Sequence, residues 1–408
     1  MKAMGPIPPG YAAGSDGSLV IADHSAADLV AANGSPLFVY DRQRIGQQIA
    51  LFRAVMPDNV ALHYAVKANP YPPLLSWLAI HVDGFDLASR GELAKLEEAG
   101  GLCAPVSFAG PGKRDEDLEY AIERGVTINL ESEGEARRAL AIAERTGWTP
   151  KLAIRVNPPF ALKGAGMKMG GLASPFGVDS ERVPDLARLV VGAGAEWRGL
   201  HIYAGSQVLR SDAIIAMHNA TVALAVNIAG SSGLAIPYVN LGGGFGIPYA
   251  AGDAALDIDA VADALCETLR SAPDVLADTQ YAIELGRWLA GEAGVYLTRV
   301  IDRKESGGKT FLITDGGLHH MLAASGNFGQ LLRRNYPIAN ATSFASEEIE
   351  EVTVTGCLCT PLDLLGDEVA ISRGDVGDVI AVFCAGAYGL TASPQAFLSQ
   401  PLAGEILL

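Results

Sequence analysis

The sequence predicts an α/β protein: a TIM-type (β/α)8 barrel followed by a mainly β domain. Two patterns carry this expectation. From about Ala61 to Arg287, eight short apolar runs alternate with stretches long enough for helices. After Arg287 the runs are β-like and are separated by turn residues, mostly without helices between them. A doubly wound open sheet is the alternative for the first region.

Taken in order, residues 37–40 read as a strand, and residues 1–43 are assigned to the second domain. The barrel is assigned residues 44–287, with strands at 62–66, 84–88, 106–109, 127–130, 152–156, 200–203, 238–241 and 282–285. Between them, 91–99 (GELAKLEEA) and 115–124 (DEDLEYAIER) have the spacing of amphipathic helices. The longest irregular stretch, 158–177, is rich in Gly, Lys and Met; loops of that length are usually functional or mobile. The β-domain is assigned residues 288–408, with strands at 295–301, 309–314, 350–355 and 379–384.

Composition excludes several function classes. A net charge of -16 argues against nucleic acid as the main partner and against an anionic membrane surface. The first residues, MKAMGPIPPGYAAGSDGS, contain no apolar signal core, and no uninterrupted apolar run reaches the roughly 18 residues of a membrane span. Five cysteines without a regular framework suit a reducing cytoplasm.

Active sites of this barrel lie at the C-terminal ends of its strands. Lys67, Asp86, Arg155, Ser206, Gly242–Gly244 and Glu284 all fall at or just after predicted strand ends. Lys67 closes the run ALHYAVKANP, where a lysine ending a buried strand is costly unless it has a role. VNLGGGFG runs a strand into a glycine-rich loop, the local form of a phosphate cradle. AIELGR ends another strand with Glu284 and Arg287. An amine nucleophile, a phosphate cup and a buried carboxylate are what pyridoxal 5'-phosphate (PLP) needs, with Lys67 as the Schiff-base lysine and Glu284 facing the pyridine nitrogen. The alternatives are a snorkelling surface lysine, a flexible glycine turn, and a salt bridge between Glu284 and Arg287. The last is disfavoured because residues three apart at a strand end point to opposite faces. In GCLCTPLDLL, Cys359 is placed to return a proton to a carbon acid. No metal is expected: Cys357 and Cys359 lack a second ligand pair, and His319 and His320, as strand neighbours, would diverge.

YAVKANP, FDLASRGEL, VNLGGGFG, ELGR, CTPLD and Gly386-Ala387-Tyr388 resemble the fold-type III PLP decarboxylases, a family that includes diaminopimelate, ornithine and arginine decarboxylases. SFAGPGKRD, KGAGMKMGG, HIYAGSQ, DGGLHH and GAYGLTASP are similar to a subgroup found with exosortase-type exopolysaccharide systems. They are also similar to the butirosin-pathway decarboxylase of a carrier-linked glutamyl group. The resemblance implies an alanine-racemase-like PLP barrel, a β-domain built from both chain ends, and a homodimer with active sites at the subunit interface. It implies that Ser206, Gly244 and Arg287 hold the phosphate and that Tyr388 lies beside the cofactor. Asp86, Arg155, Tyr203, Gly243 and Gly286 join the cofactor set. Cys359 and Asp363 would come from the partner subunit, with Asp363, Thr360 and His320 meeting the amino-acid substrate.

Three departures bear on specificity. Tyr203 stands where the family usually has a histidine that stacks on the ring. Thr360 follows the cysteine where diaminopimelate decarboxylases usually have glutamate. Their Arg-Pro-x-Leu-Tyr stretch is absent after Asp315-Gly316-Gly317. The expected reaction is removal of the α-carboxylate of an amino acid other than free diaminopimelate. Alternatives are a substrate tethered to a carrier or modified at its far end, an amino-acid racemase, and a non-catalytic PLP carrier. Lys163, Lys168, Arg333 and Arg334 are candidates to meet an anionic group such as a carrier phosphopantetheine, or are solvated surface charge.

Overall fold

The computed structural model describes residues 1–160, 173–326 and 334–408, with only the backbone of Met167–Lys168 between the first two. Lys163 and Arg333 therefore lie outside the described residues, as does the side chain of Lys168 and most of the long 158–177 stretch. Contacts divide the chain into two compact units. One contains Ile49–Gly246 and Leu256–Gly286; the other contains Met1–Gln48, Ile247–Ala255 and Arg287–Leu408.

The first unit is a closed barrel of eight parallel strands: β1 (Val60–Ala65), β2 (Gly84–Leu87), β3 (Val106–Phe108), β4 (Thr127–Leu130), β5 (Lys151–Asn157), β6 (Glu196–Ile202), β7 (Tyr238–Gly243) and β8 (Gln280–Leu285). Each pairs with the next, and β8 pairs with β1, so the sheet has no open end. Alternate residues face opposite ways. One set is apolar and fully buried, for example Leu62, Tyr64, Phe85, Ile154 and Ile283. The other set includes the buried polar residues His63, Asp86, Asn129, Arg155, His201, Asn240 and Glu284.

The helices between strands start and stop on local signals. Ser89 caps Arg90–Glu98 by accepting from the Glu92 N–H, and Ser132 caps Glu133–Thr146 by accepting from that of Glu135. Gly147 ends the latter helix at φ +75°, a conformation that favours glycine. Helix Ser211–Ser232 is long and apolar enough by length and composition to cross a membrane. Its buried face, which includes Ile214, Met217, Val222 and Ile228, shows that it is a packed barrel helix.

The second unit is built on a β-sheet fed by both chain ends. Leu37–Tyr40 lies between Gly294–Ser306, to which it is antiparallel, and Gly404–Leu407, to which it is parallel. Gly294–Ser306 also pairs with Val379–Val382 and Lys309–Thr314. Ile349–Thr355 joins Lys309–Thr314 in parallel, and Leu364–Ser372 completes the order. The last strand escaped the sequence reading because Gly366-Asp367-Glu368 interrupts it. Glu368 is left-handed at φ +51°, and the pairing register shifts there.

One barrel feature predicts a large stability effect. The Lys113 ammonium is buried and donates to Glu135 at 2.6 Å and to the carbonyls of Gly110 and Asn129. Lys113→Met would leave Glu135 buried without its cation, which costs about 3–5 kcal/mol. Chemical denaturation should show that loss; a change below about 1 kcal/mol would mean that Glu135 finds another partner.

Candidate active site

The C-terminal ends of the strands gather the predicted chemistry. Register sets Glu284 beside His63, His201 beside Asn240, and Asp86 beside Ala65. The Glu284 carboxylate pairs with His201 Nε2 at 2.9 Å and accepts from Asn240 Nδ2 at 3.4 Å. Burial would push this carboxyl up, but His201 beside it, with Lys67 and Arg155 farther off, holds it below the ordinary carboxylate range. It is therefore an anion throughout the neutral range.

Asp86 accepts from Ser107 and from Asn240 Nδ2 (3.3 Å) and pairs with His63 Nδ1 at 2.9 Å. Asp86, His201 and Glu284 each bring one ligand-type atom within 4.8 Å of the others. Hydrogen bonds with neighbouring side chains account for that approach.

Lys67 is not in the strand. The strand ends at Ala65, and Lys67 sits on the single turn Val66–Ala68 with its side chain exposed. The expectation that it directly ends the buried strand is corrected: a single turn begins between the strand and the lysine. Gly286 makes room for that turn, since a Cβ there would lie 2.6 Å from the Ala68 Cβ. Lys67 Nζ is 5.0 Å from the centre of the Tyr203 ring. The Glu92 carboxylate accepts from the Ala88 N–H at 2.7 Å, is pushed up by burial, and is stabilised as an anion by Lys67.

The glycine loop is tightly constrained. Gly242 (φ +74°) and Gly244 (φ +86°) are left-handed. A Cβ on Gly243 would lie 1.8 Å from the Glu284 carbonyl oxygen, and one on Gly244 would lie 2.4 Å from that of Gly205. Ser206 is buried in Gly205–Ser206, which pairs with the backbone of Met167–Lys168. Arg155 is buried against Glu131 at 3.0 Å; Glu131 also accepts from the Gly110 and Gly177 N–H groups.

In the other unit, Arg287 Nη1 donates to Tyr249 Oη at 2.7 Å, and its guanidinium lies 4.6 Å from the centre of the Tyr388 ring. Its Nε is buried without a hydrogen-bond partner. Glu284 and Arg287 thus have separate described partners. Tyr388 is held at φ +55°, a strained conformation of the kind found at functional sites.

Cys359 is exposed. Asp363 fixes the Cys359 loop: its oxygens accept from the N–H groups of Leu318 (2.6 Å) and Leu358 (2.8 Å). Thr360 Oγ1 accepts from the Leu362 N–H at 3.4 Å. His320 corrects the sequence expectation. It is buried, with Nε2 against the Pro401 carbonyl (2.8 Å) and Nδ1 against Tyr296 Oη (3.1 Å), so the fold uses its whole ring. Nor do His319 and His320 diverge. They lie in a turn rather than a strand, with ring centres 3.8 Å apart.

This set of groups fits PLP. Within the barrel unit it offers an exposed amine, an ionised carboxylate on an imidazole and glycines that exclude any Cβ. The model of the family "Pyridoxal-dependent decarboxylase, pyridoxal binding domain" matches residues 42–291. The chain belongs to the pyridoxal-dependent decarboxylases. This PLP-dependent carboxy-lyase is 36% identical over 381 residues to the L-glutamyl-[BtrI acyl-carrier protein] decarboxylase of Niallia circulans, covering 91% of this chain and 88% of the relative. It is 31% identical over 396 residues to a diaminopimelate decarboxylase of Archaeoglobus fulgidus, covering 97% and 92%. The diaminopimelate decarboxylase of M. jannaschii in complex with L-lysine superposes with a TM-score of 0.86 at 25% identity, covering 97% and 92%.

Sequence reasoning missed His201, His63, Asn240, Glu92 and Glu131. For His201 the signal was present: a histidine inside an otherwise apolar strand end, two residues before Tyr203. The Ser89-x-x-Glu92 spacing was a readable capping signal.

Proposed function

We propose that this decarboxylase removes the α-carboxylate of an amino acid whose distal end is acylated or tethered to a carrier protein, rather than of free diaminopimelate. The observation that carries this is the turn after Asp315-Gly316-Gly317. It lacks the Arg-Pro-x-Leu-Tyr stretch, and its His320 is committed to Pro401 and Tyr296. A free distal ammonium and carboxylate would lose water there without replacement, at about 1–3 kcal/mol per group. The Niallia relative, which acts by name on a carrier-linked glutamyl group, supports the same substrate class.

Bound PLP supplies an electron sink for the pair released when the bond from Cα to the carboxylate breaks. Lys67 would supply the amine that holds the cofactor. Glu284, paired with His201, would hold a proton at the ring nitrogen of the cofactor. By the family resemblance, Ser206, Gly243, Gly244 and Arg287 would hold its phosphate, Tyr203 and Tyr388 would lie beside it, and Asp86, Arg155 and Gly286 would shape the site. The Cys359 thiol returns a proton to Cα, and Asp363 and Thr360 hold its loop. We place Cys359 in the site of a second subunit, in a cytoplasmic homodimer; its exposure on its own chain suits that role.

Carbon dioxide release over a panel of free and carrier-linked amino acids tests the substrate. The kcat/KM for the best carrier-linked or distally acylated substrate should exceed that for diaminopimelate by about 100-fold or more. A diaminopimelate value of about 10⁴ M⁻¹s⁻¹ or above, and higher than the others, would overturn the reading.

A further inference from the structure

A cavity of about 440 Å³ enters the barrel at the end opposite the catalytic loops. Asn59, Asp83, Val106, Thr127 and Gln280, at or just before the starts of their strands, line it. Asp58, Asn59 and Gln280 at its mouth are exposed. Farther in, it is lined by His63, Ser107, Tyr238 and Asn240. These residues begin an unbroken line of hydrogen bonds. Tyr238 Oη meets His63 Nε2 at 2.9 Å, His63 Nδ1 meets Asp86 at 2.9 Å, and Asn240 Nδ2 lies 3.3 Å from Asp86 and 3.4 Å from Glu284. Gly84 is required beside this line, because a Cβ there would lie 2.4 Å from His63 Nε2.

We propose that His63, reached by solvent through this cavity, is a positioning residue that acts through Asp86 and Asn240 on the Glu284 carboxylate. The inference rests on the reading of Glu284 as the partner of the cofactor ring nitrogen. Asn240 has one side-chain amide nitrogen between two carboxylates. Its division between them depends on how much of the Asp86 charge His63 takes up. A His63 cation donates from both ring nitrogens, to Asp86 and to Tyr238, and leaves Asn240 to hold Glu284 in register with His201.

The groups around His63 favour that cation. Burial pulls its pKa down, but Asp86 beside it, with Glu284 and Asp83 farther off, raises it above the ordinary histidine value. Tyr238, whose own pKa is pushed well up by burial and by Asp86, stays neutral against it, and Arg198 acts on Tyr238 in the opposite sense. A barrel interior usually filled by branched apolar side chains is here a polar line ending on a catalytic carboxylate. An unsatisfied line of this kind would be costly, which argues that each link is held.

The test is the pH titration of the absorption of the bound cofactor, in holoenzyme without substrate, for wild type, His63→Ala, Tyr238→Phe and Glu284→Gln. Loss of His63 leaves Asp86 without its counter-charge. The titration midpoint should therefore move up by at least about half a unit, below the 1–3 units of a direct ion contact. Tyr238→Phe should shift it in the same direction by less. His63→Ala also opens space onto the cavity, so free imidazole should enter from the mouth and restore the wild-type midpoint. An unchanged Glu284→Gln titration would overturn the reading of Glu284 and the inference with it. A shift in Glu284→Gln but none in His63→Ala would overturn the inference alone. A His63→Ala shift that imidazole does not reverse would mark a repacked barrel and would also overturn it. Should His63→Ala fail to fold, Tyr238→Phe decides: a shift upward supports the line, and a wild-type midpoint contradicts it.

Discussion

Lys67→Ala should lower turnover by at least about 10⁴-fold, the scale on which enzymes lose activity when the nucleophile is removed. The variant should also lose the yellow colour of the covalently held cofactor. Its fold should survive, because Lys67 sits exposed on a turn whose neighbours Val66 and Ala68 supply the packing. The check is steady-state carbon dioxide release together with the absorption spectrum and the denaturation midpoint. Colour retained through a covalent bond to another lysine would remove Lys67 from its role.

Mixing two inactive proteins should produce an active one. If Cys359 serves the site of a second subunit, Lys67→Ala and Cys359→Ala subunits can complement each other. Random exchange makes about half the dimers mixed, and each mixed dimer has one intact site of two. Activity should then recover to roughly a quarter of wild type under two-fold symmetry. That is a rise of at least about 25-fold over either variant alone. Exchange demonstrated by differently tagged subunits, without recovery, would return Cys359 to its own subunit or remove it from the chemistry.

The barrel was legible because each strand carries an apolar set and most of the connecting stretches are long enough for helices. The end of the first strand was placed one residue too far because Val66 extends the apolar run, while the backbone has already turned after Ala65. The interior line was not legible. His63, Asp86, Asn240 and Glu284 are far apart in the chain and meet only through strand order and register. Attention to the missing histidine at Tyr203 also hid His201, whose imidazole is committed to Glu284 instead of the cofactor face. In the second unit, the expectation for His319 and His320 failed because it assumed a strand where the chain turns. Asp363 looked like a substrate ligand from its motif, but its oxygens accept two backbone N–H groups that shape the Cys359 loop.

The central claim is that Lys67 carries the cofactor of a decarboxylase. It is tested most directly by borohydride reduction of the holoenzyme, followed by digestion and mass spectrometry. One reduced cofactor per chain is expected, on the peptide containing Tyr64-Ala65-Val66-Lys67. The same mass on a peptide carrying Lys113 or Lys151, or no modified peptide at all from a coloured enzyme, would contradict it.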